Sequence, residues 1–378
     1  MSRARTYLDW NATAPLRREA REAMLAALDV PGNPSSPHAE GRRARALVED
    51  AREQVAALVG ARPADVVFTS GGTEANNAVL AGGWDTIAVG GIEHDSVLAP
   101  ARAGSARIIE LALDENGVVD LDALGAQVRQ SGGLNAGRRA LLSLQLANNE
   151  TGVLQPVAPA ARLAREHGVA VHTDAVQAAG RLPIAMGTLG VDYLTLSAHK
   201  LGGPKGVGAL IMREGASLPT FITGGGQERR RRAGTENVAA IAGFGAAAVA
   251  SDLAAMQRVR DLRDTLEAGI RDIAPEAAVI GSGADRLPNT TNLALAGTSA
   301  ETLVIALDIA GIAVSAGAAC SSGKVGASHV LAAMGLAPEI AGAAIRISLG
   351  PTSTKRDVAA FIEAWGRVAM RRRERAVA

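Results

Sequence analysis

Short apolar segments alternate with helix-like segments between residues 65 and 212, and this alternation is the strongest constraint on the fold. Each apolar segment has the length of a buried strand, and helix-like stretches such as Ala158–His167 lie between several of them. Because crossover helices pack on the faces of a sheet, the pattern predicts an α/β fold with a largely parallel sheet covered on both sides. The predicted strands are Asp65–Ser70, Thr86–Val89, Ala140–Leu146, Val169–Thr173, Tyr193–Ser197 and Gly208–Met212.

The remainder of the chain predicts a second, smaller unit that mixes helices with strands. Single cores stop growing at about 250–300 residues, and this chain has 378. We therefore predict a large domain of residues 13–250 and a smaller α+β domain of residues 1–12 and 251–378. Further predicted helices are Leu16–Leu28, His38–Val59, a long alanine-rich Val238–Ile273, Glu301–Ala310 and Lys355–Arg371, and further predicted strands are Asn292–Leu295 and Ile345–Leu349.

Charge and composition argue against several classes of partner. The net charge is +1 and aromatic residues make up only 2% of the chain, so we expect no nucleic-acid partner. No apolar run reaches membrane-spanning length, and residues 1–9 lack the apolar core of a signal peptide. We therefore expect no membrane association and a cytoplasmic location.

The chain contains a single cysteine, Cys320, which excludes an intramolecular disulfide and an all-cysteine metal site within one chain. We expect no intrinsic metal site. Cys320 lies in Ser315–Gly323, a segment of small residues without apolar periodicity, which favours an exposed loop and a reactive thiol. An inert, buried cysteine is the alternative.

Polar residues follow several of the predicted strands, at the edge where open α/β sheets bind ligands. The turn Ser70–Glu74 contains Gly72 and Thr73 and precedes a helix, so it suits a phosphate group, although an ordinary strand–helix turn is the alternative. Asp174 follows the fourth predicted strand, with Gln177 three residues on. Asp174 is either a helix cap or an anion that keeps a heteroaromatic nitrogen protonated.

Lys200 follows the next predicted strand and is one of only four lysines in the chain. It is either a solvated loop residue or a Schiff-base lysine, since capture of a carbonyl group needs a primary amine on a rigid element. In the second case, Ser197 and His199 are donors to a phosphate. His94 and Asn149 follow two other strands and are candidates for ring and ligand contacts.

Arginines form two further candidate features. Arg346 lies within an apolar strand, where an unpaired charge is costly, so it either grips a substrate carboxylate or forms a structural ion pair. The run Arg229–Arg232 precedes Gly234 and Thr235. This run is either a solvated face or a contact with a phosphate or a second subunit.

These motifs together resemble the NifS/IscS-type cysteine desulfurases, within the class V aminotransferase-like enzymes that use pyridoxal 5'-phosphate. The resemblance extends from Tyr7–Thr13 to Arg346–Gly350 and therefore covers nearly the whole chain. One departure is Arg230, which stands where the family often has glycine. The matching motifs between these ends are Ser70–Glu74, Glu93–His94, Asn148–Glu150, His172–Gln177, Ser197–Lys200, Gly225–Glu228, Gly234–Thr235 and Ala319–Gly323.

The resemblance implies fold type I of the pyridoxal-phosphate-dependent transferases and a role for each motif residue. It implies that Lys200 binds the cofactor covalently, Asp174 pairs with the pyridine nitrogen, Gln177 bonds the ring hydroxyl and His94 stacks on the ring and assists proton transfer. Gly72, Thr73, Ser197 and His199 then hold the phosphate, with Thr235 reaching it from the second subunit of a homodimer. Asn149 contacts cofactor and substrate, Arg346 holds the substrate carboxylate, and Cys320 is the nucleophile.

The implied reaction converts L-cysteine to L-alanine and leaves the sulfur on Cys320 as a persulfide. The implied acceptor is an iron–sulfur scaffold protein, whose cluster Cys320 would then contact, and nitrogenase cofactor assembly is one such pathway. A selenocysteine lyase or an aminotransferase of the same family is the nearest alternative. A sulfur carrier that has kept the fold without catalysis is an alternative from another class, disfavoured by the presence of Lys200 and Asp174.

Overall fold

The computed structural model describes residues 5–129, 134, 139–317 and 328–377. In these ranges the helices α1 to α13 are Arg18–Leu28, Ala39–Leu58, Gly72–Leu80, Asp95–Ala103, Leu121–Arg129, Val157–Arg165, Met186–Leu189, Val238–Val249, Leu253–Ile273, Ala300–Ile309, His329–Ala333, Pro338–Ala341 and Lys355–Val377. The strands β1 to β13 are Thr6–Tyr7, Val66–Thr69, Thr86–Gly90, Arg107–Leu111, Ala140–Ser143, Ala170–Asp174, Tyr193–Ser197, Gly208–Met212, Ala278–Val279, Thr290–Ala294, Ile312–Ala313, Ser315–Ala316 and Ala344–Ser348.

The main sheet of the described residues has seven strands in the order β2-β8-β7-β6-β5-β3-β4. Only β8 runs opposite to the other strands of this sheet, so the predicted mainly parallel α/β fold is confirmed. Strand β4 was not predicted from the sequence. It lies at the sheet edge with charged and partly exposed residues, so it lacks the continuous apolar run of a central strand.

The prediction of one long helix over Val238–Ile273 is wrong. The structure forms α8 and α9 instead, with an angle of 73° between them. Asp252 caps the N-terminus of α9, because its carboxylate accepts hydrogen bonds from the backbone N–H groups of Ala254 and Ala255 at 2.9 and 3.2 Å. This cap starts a new helix three residues after α8 ends at Val249. Among the described helices none alone is long and apolar enough to cross a membrane, and this bent pair meets the length and composition criteria only jointly.

A second, antiparallel sheet has the order β12-β13-β10-β9. The short strand β1 pairs with β11 nearby, and Asp9 forms a bridge with Ser348 at the end of β13. The N-terminal segment therefore packs against β13, and residues 9–12 lie next to Arg346. The division into domains at residues 13 and 250 stays a prediction.

Three consecutive non-glycine residues have left-handed backbone conformations. The φ angles of Glu228, Arg229 and Arg230 are 44°, 56° and 63°. The buried Glu228 holds this turn in place, because its carboxylate accepts two hydrogen bonds from Arg52, each of 2.8 Å, and one from the backbone N–H of Phe68 at 2.9 Å. L-residues pay about 1–2 kcal/mol in this left-handed region, whereas glycine enters it freely. Arg230 therefore stands where the backbone itself favours glycine.

Replacing Arg230 by glycine is expected to raise the free energy of unfolding by up to about 1 kcal/mol, because the relief of backbone strain exceeds the added entropy of the unfolded chain. The matched control is Arg231→Gly, since Arg231 has a right-handed φ of −90° and gains no such relief. Thermal and urea unfolding measure both variants. A lower stability for Arg230→Gly than for the parent chain would contradict the strain argument.

Candidate active site

A cavity of about 320 Å³ lies beyond the carboxyl ends of the parallel strands. Since these ends share one edge of the sheet, residues far apart in sequence meet there. The structure brings together every predicted site residue of the described ranges except Thr235. The cavity is lined by Asn11, Ala12, Gly72, Thr73, Asn76, His94, Ser96, Gln145, Ala147, Asn149, Asp174, Val176, Gln177, Ser197, His199, Lys200 and Arg346.

One group of cavity residues suits an anion. Gly72 and Thr73 form the first turn of α3, where backbone N–H groups lack helical partners. A Cβ atom on Gly72 would lie 3.0 Å from Val176 Cγ2, so the absence of a side chain keeps this turn open. Ser197 adds a hydroxyl group. His199 is neutral at pH 7, because burial and then the positive charge of Lys200 lower its pKa to about 4.

Asp174 ends β6 and places a carboxylate in the cavity. Its Oδ1 accepts a hydrogen bond from the backbone N–H of Val176 at 2.9 Å, and its Oδ2 accepts one from Asn76 Nδ2 at 2.7 Å. His172 precedes it by two residues on the same face of the strand, between Ser143 and Thr195, and burial lowers the pKa of this imidazole to about 3. A neutral, hydrogen-bonded layer therefore supports the carboxylate.

Lys200 lies in a single 3₁₀ turn, Ala198–Lys200, directly after β7. The turn is closed by the hydrogen bond from Leu201 N to Ala198 O at 2.9 Å. The Nζ atom donates to the carbonyl oxygens of Asn11 and Ala12, at 2.6 and 2.8 Å. The lysine therefore extends from a rigid strand end into the cavity and contacts the N-terminal segment there.

The side-chain amide of Gln177 is oriented by two neighbours. Its Nε2 donates to Asn11 O at 3.1 Å, while its Oε1 accepts a hydrogen bond from Arg181. Arg181 also donates to the carbonyl oxygen of Gln177 at 2.8 Å, and burial lowers its pKa to about 9. Because the guanidinium can only donate, the amide must turn its NH₂ group away from Arg181. Sequence reasoning had not found Arg181.

His94 caps the N-terminus of α4 and lines the cavity. Its Nδ1 accepts a hydrogen bond from the backbone N–H of Ser96 at 3.1 Å and lies 2.8 Å from Ser96 Oγ. Burial lowers the pKa of the imidazole, and the charge of Lys200 acts in the same direction while Asp174 opposes both. The ring is therefore neutral at physiological pH.

Of the two arrangements that the sequence left open for Arg346, the structure shows the ion pair. Its Nη2 forms an ion pair with Asp9 Oδ1 at 2.9 Å and a hydrogen bond with Ser315 Oγ at 3.0 Å, and its Nη1 donates to Asn149 O at 3.1 Å. The side chain is also part of the cavity wall, and its Nε has no hydrogen-bond partner among the described residues. The ion pair is thus confirmed, and the grip on a substrate carboxylate stays a prediction.

Asp9 was not predicted to have a role, although it lies within Tyr7–Thr13, one of the segments that resemble the family. We expect Asp9→Asn to raise the KM for an amino-acid substrate about tenfold with a smaller change in kcat, because Arg346 loses the anion that orients it. Steady-state kinetics measure the effect. The control is Asp308→Asn, which removes an exposed ion pair with Arg5. An unchanged KM in Asp9→Asn would exclude this orienting role.

Among the predicted site residues that the structure describes, Thr235 does not line this cavity. Thr235 is exposed and lines a separate cavity of about 210 Å³, together with Ser70 and Arg232. Within the arginine run, Arg232 pairs with Glu74 at 3.0 Å, so this residue is not simply a solvated charge. Cys320 lies outside the described residues. Sequence reasoning also missed Asn76 and Ser96, whose only signal was their position within three residues of Thr73 and His94.

The fold and the cavity define an α/β enzyme whose site offers an amine, a carboxylate and an anion-binding turn at one sheet edge. The family model for aminotransferase class-V matches residues 6–361, and the chain belongs to this family. Within it, the chain groups with the cysteine desulfurases: it is 40% identical to the cysteine desulfurase IscS of Dictyoglomus turgidum, over 93% of this chain and 91% of that protein.

Solved structures agree with this placement. A NifS-like protein from Rickettsia africae superposes with a TM-score of 0.88 at 37% identity, covering 96% of this chain and 99% of that one. A protein named SspA, solved in complex with cysteine, superposes with a TM-score of 0.80 at 28% identity, covering 92% of this chain and all of that one. The fold prediction is therefore confirmed by relatives as well as by the sheet topology.

Proposed function

We propose that this protein is a pyridoxal-phosphate-dependent cysteine desulfurase that converts L-cysteine to L-alanine and transfers the sulfur to Cys320. The observation that carries the proposal is the single cavity lined jointly by Lys200, Asp174 and Arg346. These three side chains supply an amine, an anion and a carboxylate-binding cation, which an amino-acid-transforming enzyme of this family requires. Support for cysteine as the substrate comes from the desulfurase relative and from the SspA complex with cysteine.

The cavity residues fit pyridoxal 5'-phosphate. Gly72, Thr73, Ser197 and the neutral His199 provide the donors for the phosphate, without a side chain at Gly72 to block it. The other end has the Asp174 carboxylate for the ring nitrogen, the Gln177 amide for the ring hydroxyl and His94 for the ring face. When bound, the cofactor supplies an aldehyde for capture of amines and a protonated ring that accepts electron density.

The chain's own residues then divide the work of proton transfer and orientation. Lys200 Nζ removes the proton from the substrate Cα, and it does so from a turn that leaves it little freedom. The Asp174 carboxylate holds a proton on the nitrogen opposite it by charge attraction. Arg346 and Asn149 fix the substrate carboxylate, so that the Cα proton points at the amine.

Sulfur transfer is assigned to Cys320, on the resemblance and on its being the only thiol of the chain. Its thiolate attacks the substrate sulfur, a sulfur–sulfur bond forms, and the carbon–sulfur bond breaks with its electron pair going to carbon. Protons then complete alanine, and no external oxidant or reductant is needed. The Cys320 persulfide carries the sulfur until it is transferred to an acceptor.

The partners in this proposal are a second copy of the chain and a sulfur acceptor. Thr235 is exposed and does not line its own catalytic cavity, which suits a contact with the phosphate of the other subunit in a homodimer. The proposed acceptor is an iron–sulfur scaffold protein in the cytoplasm, whose cluster Cys320 would contact. The name IscS of the relative supports an acceptor of this class.

The test is to mix the protein with pyridoxal phosphate and L-cysteine, assay alanine, and measure the mass of the Cys320 peptide without reducing agent. Stoichiometric alanine and a gain of one sulfur atom on that peptide are expected. Keto acid formed from an amino donor would identify an aminotransferase instead. Turnover of selenocysteine alone would identify a selenocysteine lyase, and a colourless protein that takes up no cofactor would indicate a non-catalytic sulfur carrier.

A further inference from the structure

In the cavity wall, four side chains form a continuous hydrogen-bond chain that links Asp174 to His94. Asn76 Nδ2 lies 2.7 Å from Asp174 Oδ2 and 2.9 Å from Ser96 Oγ, and Ser96 Oγ lies 2.8 Å from His94 Nδ1. Asn76 is fully buried, Ser96 and Asp174 are exposed by less than a tenth, and His94 is half-buried. Water therefore has little access to these bonds, and each side chain sets the orientation of the next.

The direction of each hydrogen bond follows from the Asp174 end. A carboxylate can only accept, so the Asn76 atom beside it must be the NH₂ group, and the second hydrogen of this group points to Ser96 Oγ. Ser96 Oγ thus accepts from Asn76 and keeps one hydrogen of its own, which it donates to His94 Nδ1. The Asn76 Oδ1 atom is buried without a hydrogen-bond partner among the described residues. The orientation of the amide is therefore assigned from the two hydrogen bonds that its NH₂ group donates.

His94 Nδ1 accepts from Ser96 twice, once from the hydroxyl and once from the backbone N–H at 3.1 Å. A nitrogen that accepts two hydrogen bonds carries no proton, so the neutral ring must hold its proton at Nε2, on the opposite edge. Burial lowers the pKa of His94 and keeps the ring in this neutral form at pH 7.

We propose that Asn76 and Ser96 are positioning residues that hold His94 in the Nε2–H tautomer, so that His94 meets the bound ligand as a hydrogen-bond donor and not as a base. The assignment of turnover to this site rests on the proposed function, but the tautomer itself does not. Lys200 is then the base at Cα, and the neutral His94 donates a hydrogen bond from Nε2. Asn76 cannot relay protons as a carboxylate could, so the chain orients His94 without passing a proton between Asp174 and His94.

The tautomer can be read directly by ¹⁵N NMR of histidine-labelled protein, with and without pyridoxal phosphate. The chain has only six histidines, so His94 can be assigned by its loss in His94→Gln. We expect Nδ1 unprotonated and Nε2 protonated at pH 7. A protonated Nδ1 in the parent protein would overturn the proposal, whether or not the protein desulfurates cysteine, and a missing activity with the expected tautomer would instead refute the proposed function.

The variants Asn76→Leu and Ser96→Ala break the side-chain chain at different links and leave the backbone N–H of Ser96 as the remaining donor to His94 Nδ1. The share of the Nε2–H tautomer is therefore expected to fall in both. In both, kcat should fall at least tenfold while the cofactor stays bound, and Ser96→Thr, which keeps the hydroxyl, should restore the parent tautomer. The matched control is Asn77→Leu, an exposed neighbour on the same helix whose Nδ2 donates to the backbone oxygens of Thr73 and Ser96 and to no side chain of the four-residue chain. Parent-like tautomer and kcat in both Asn76→Leu and Ser96→Ala would overturn the proposal.

Discussion

Lys200→Ala is expected to lower the turnover of L-cysteine by about 10⁴-fold or more. One positioned proton-transfer group contributes up to about 10⁴-fold. The loss is large because the same Nζ atom serves as the cofactor's anchor and as the base at Cα, and an alanine can do neither. The visible absorption of the protein mixed with pyridoxal phosphate should also shift to that of the cofactor without a bound lysine.

The matched control for this variant is Lys205→Ala. Lys205 lies five residues further along the chain and is exposed, outside the cavity lining. It should keep the parent spectrum and turnover, so that loss of a lysine as such is separated from loss of this amine. Alanine production by Lys200→Ala within tenfold of the parent rate would remove Lys200 from the mechanism.

Cys320→Ala is expected to keep the bound cofactor and its spectrum, yet to release almost no sulfide from L-cysteine. The reason is chemical: the chain has no second thiol to receive the substrate sulfur. Cys320→Ser is the sharper variant, since it preserves size and polarity but supplies an oxygen in place of the nucleophilic sulfur.

Both Cys320 variants are measured by sulfide release with a reducing agent and by the mass of the residue 320 peptide without one. Loss of activity together with an unchanged cofactor spectrum separates the sulfur-transfer role from a general defect of the site. Sulfide release at the parent rate in either variant would remove Cys320 from the reaction. It would also favour an enzyme that eliminates the sulfur without a protein-bound carrier.

Much of the large sheet could be predicted, because buried parallel strands are apolar on both faces and their short runs stand out between helical segments. The boundaries of Tyr193–Ser197 and Gly208–Met212 agree with β7 and β8 to the residue. The edge strand β4 and the break between α8 and α9 escaped prediction for different reasons. An edge strand tolerates charged residues, so β4 lacks a clear apolar run. Asp252 caps α9 with an extended backbone, and the apolar periodicity of the sequence does not show this change of backbone conformation.

The sequence by itself determined which functional groups the site contains. A scarce lysine, an acid and a glycine turn each follow an apolar strand, and the ends of such buried parallel strands share one edge of the sheet. Only the tertiary structure decided which polar residues orient that chemistry. Asp9 reaches Arg346, Asn76 reaches Asp174, and Arg181 turns the amide of Gln177. Hydrogen bonds depend on a few tenths of an ångström and on donor direction, and these are properties of packed side chains that no linear pattern encodes.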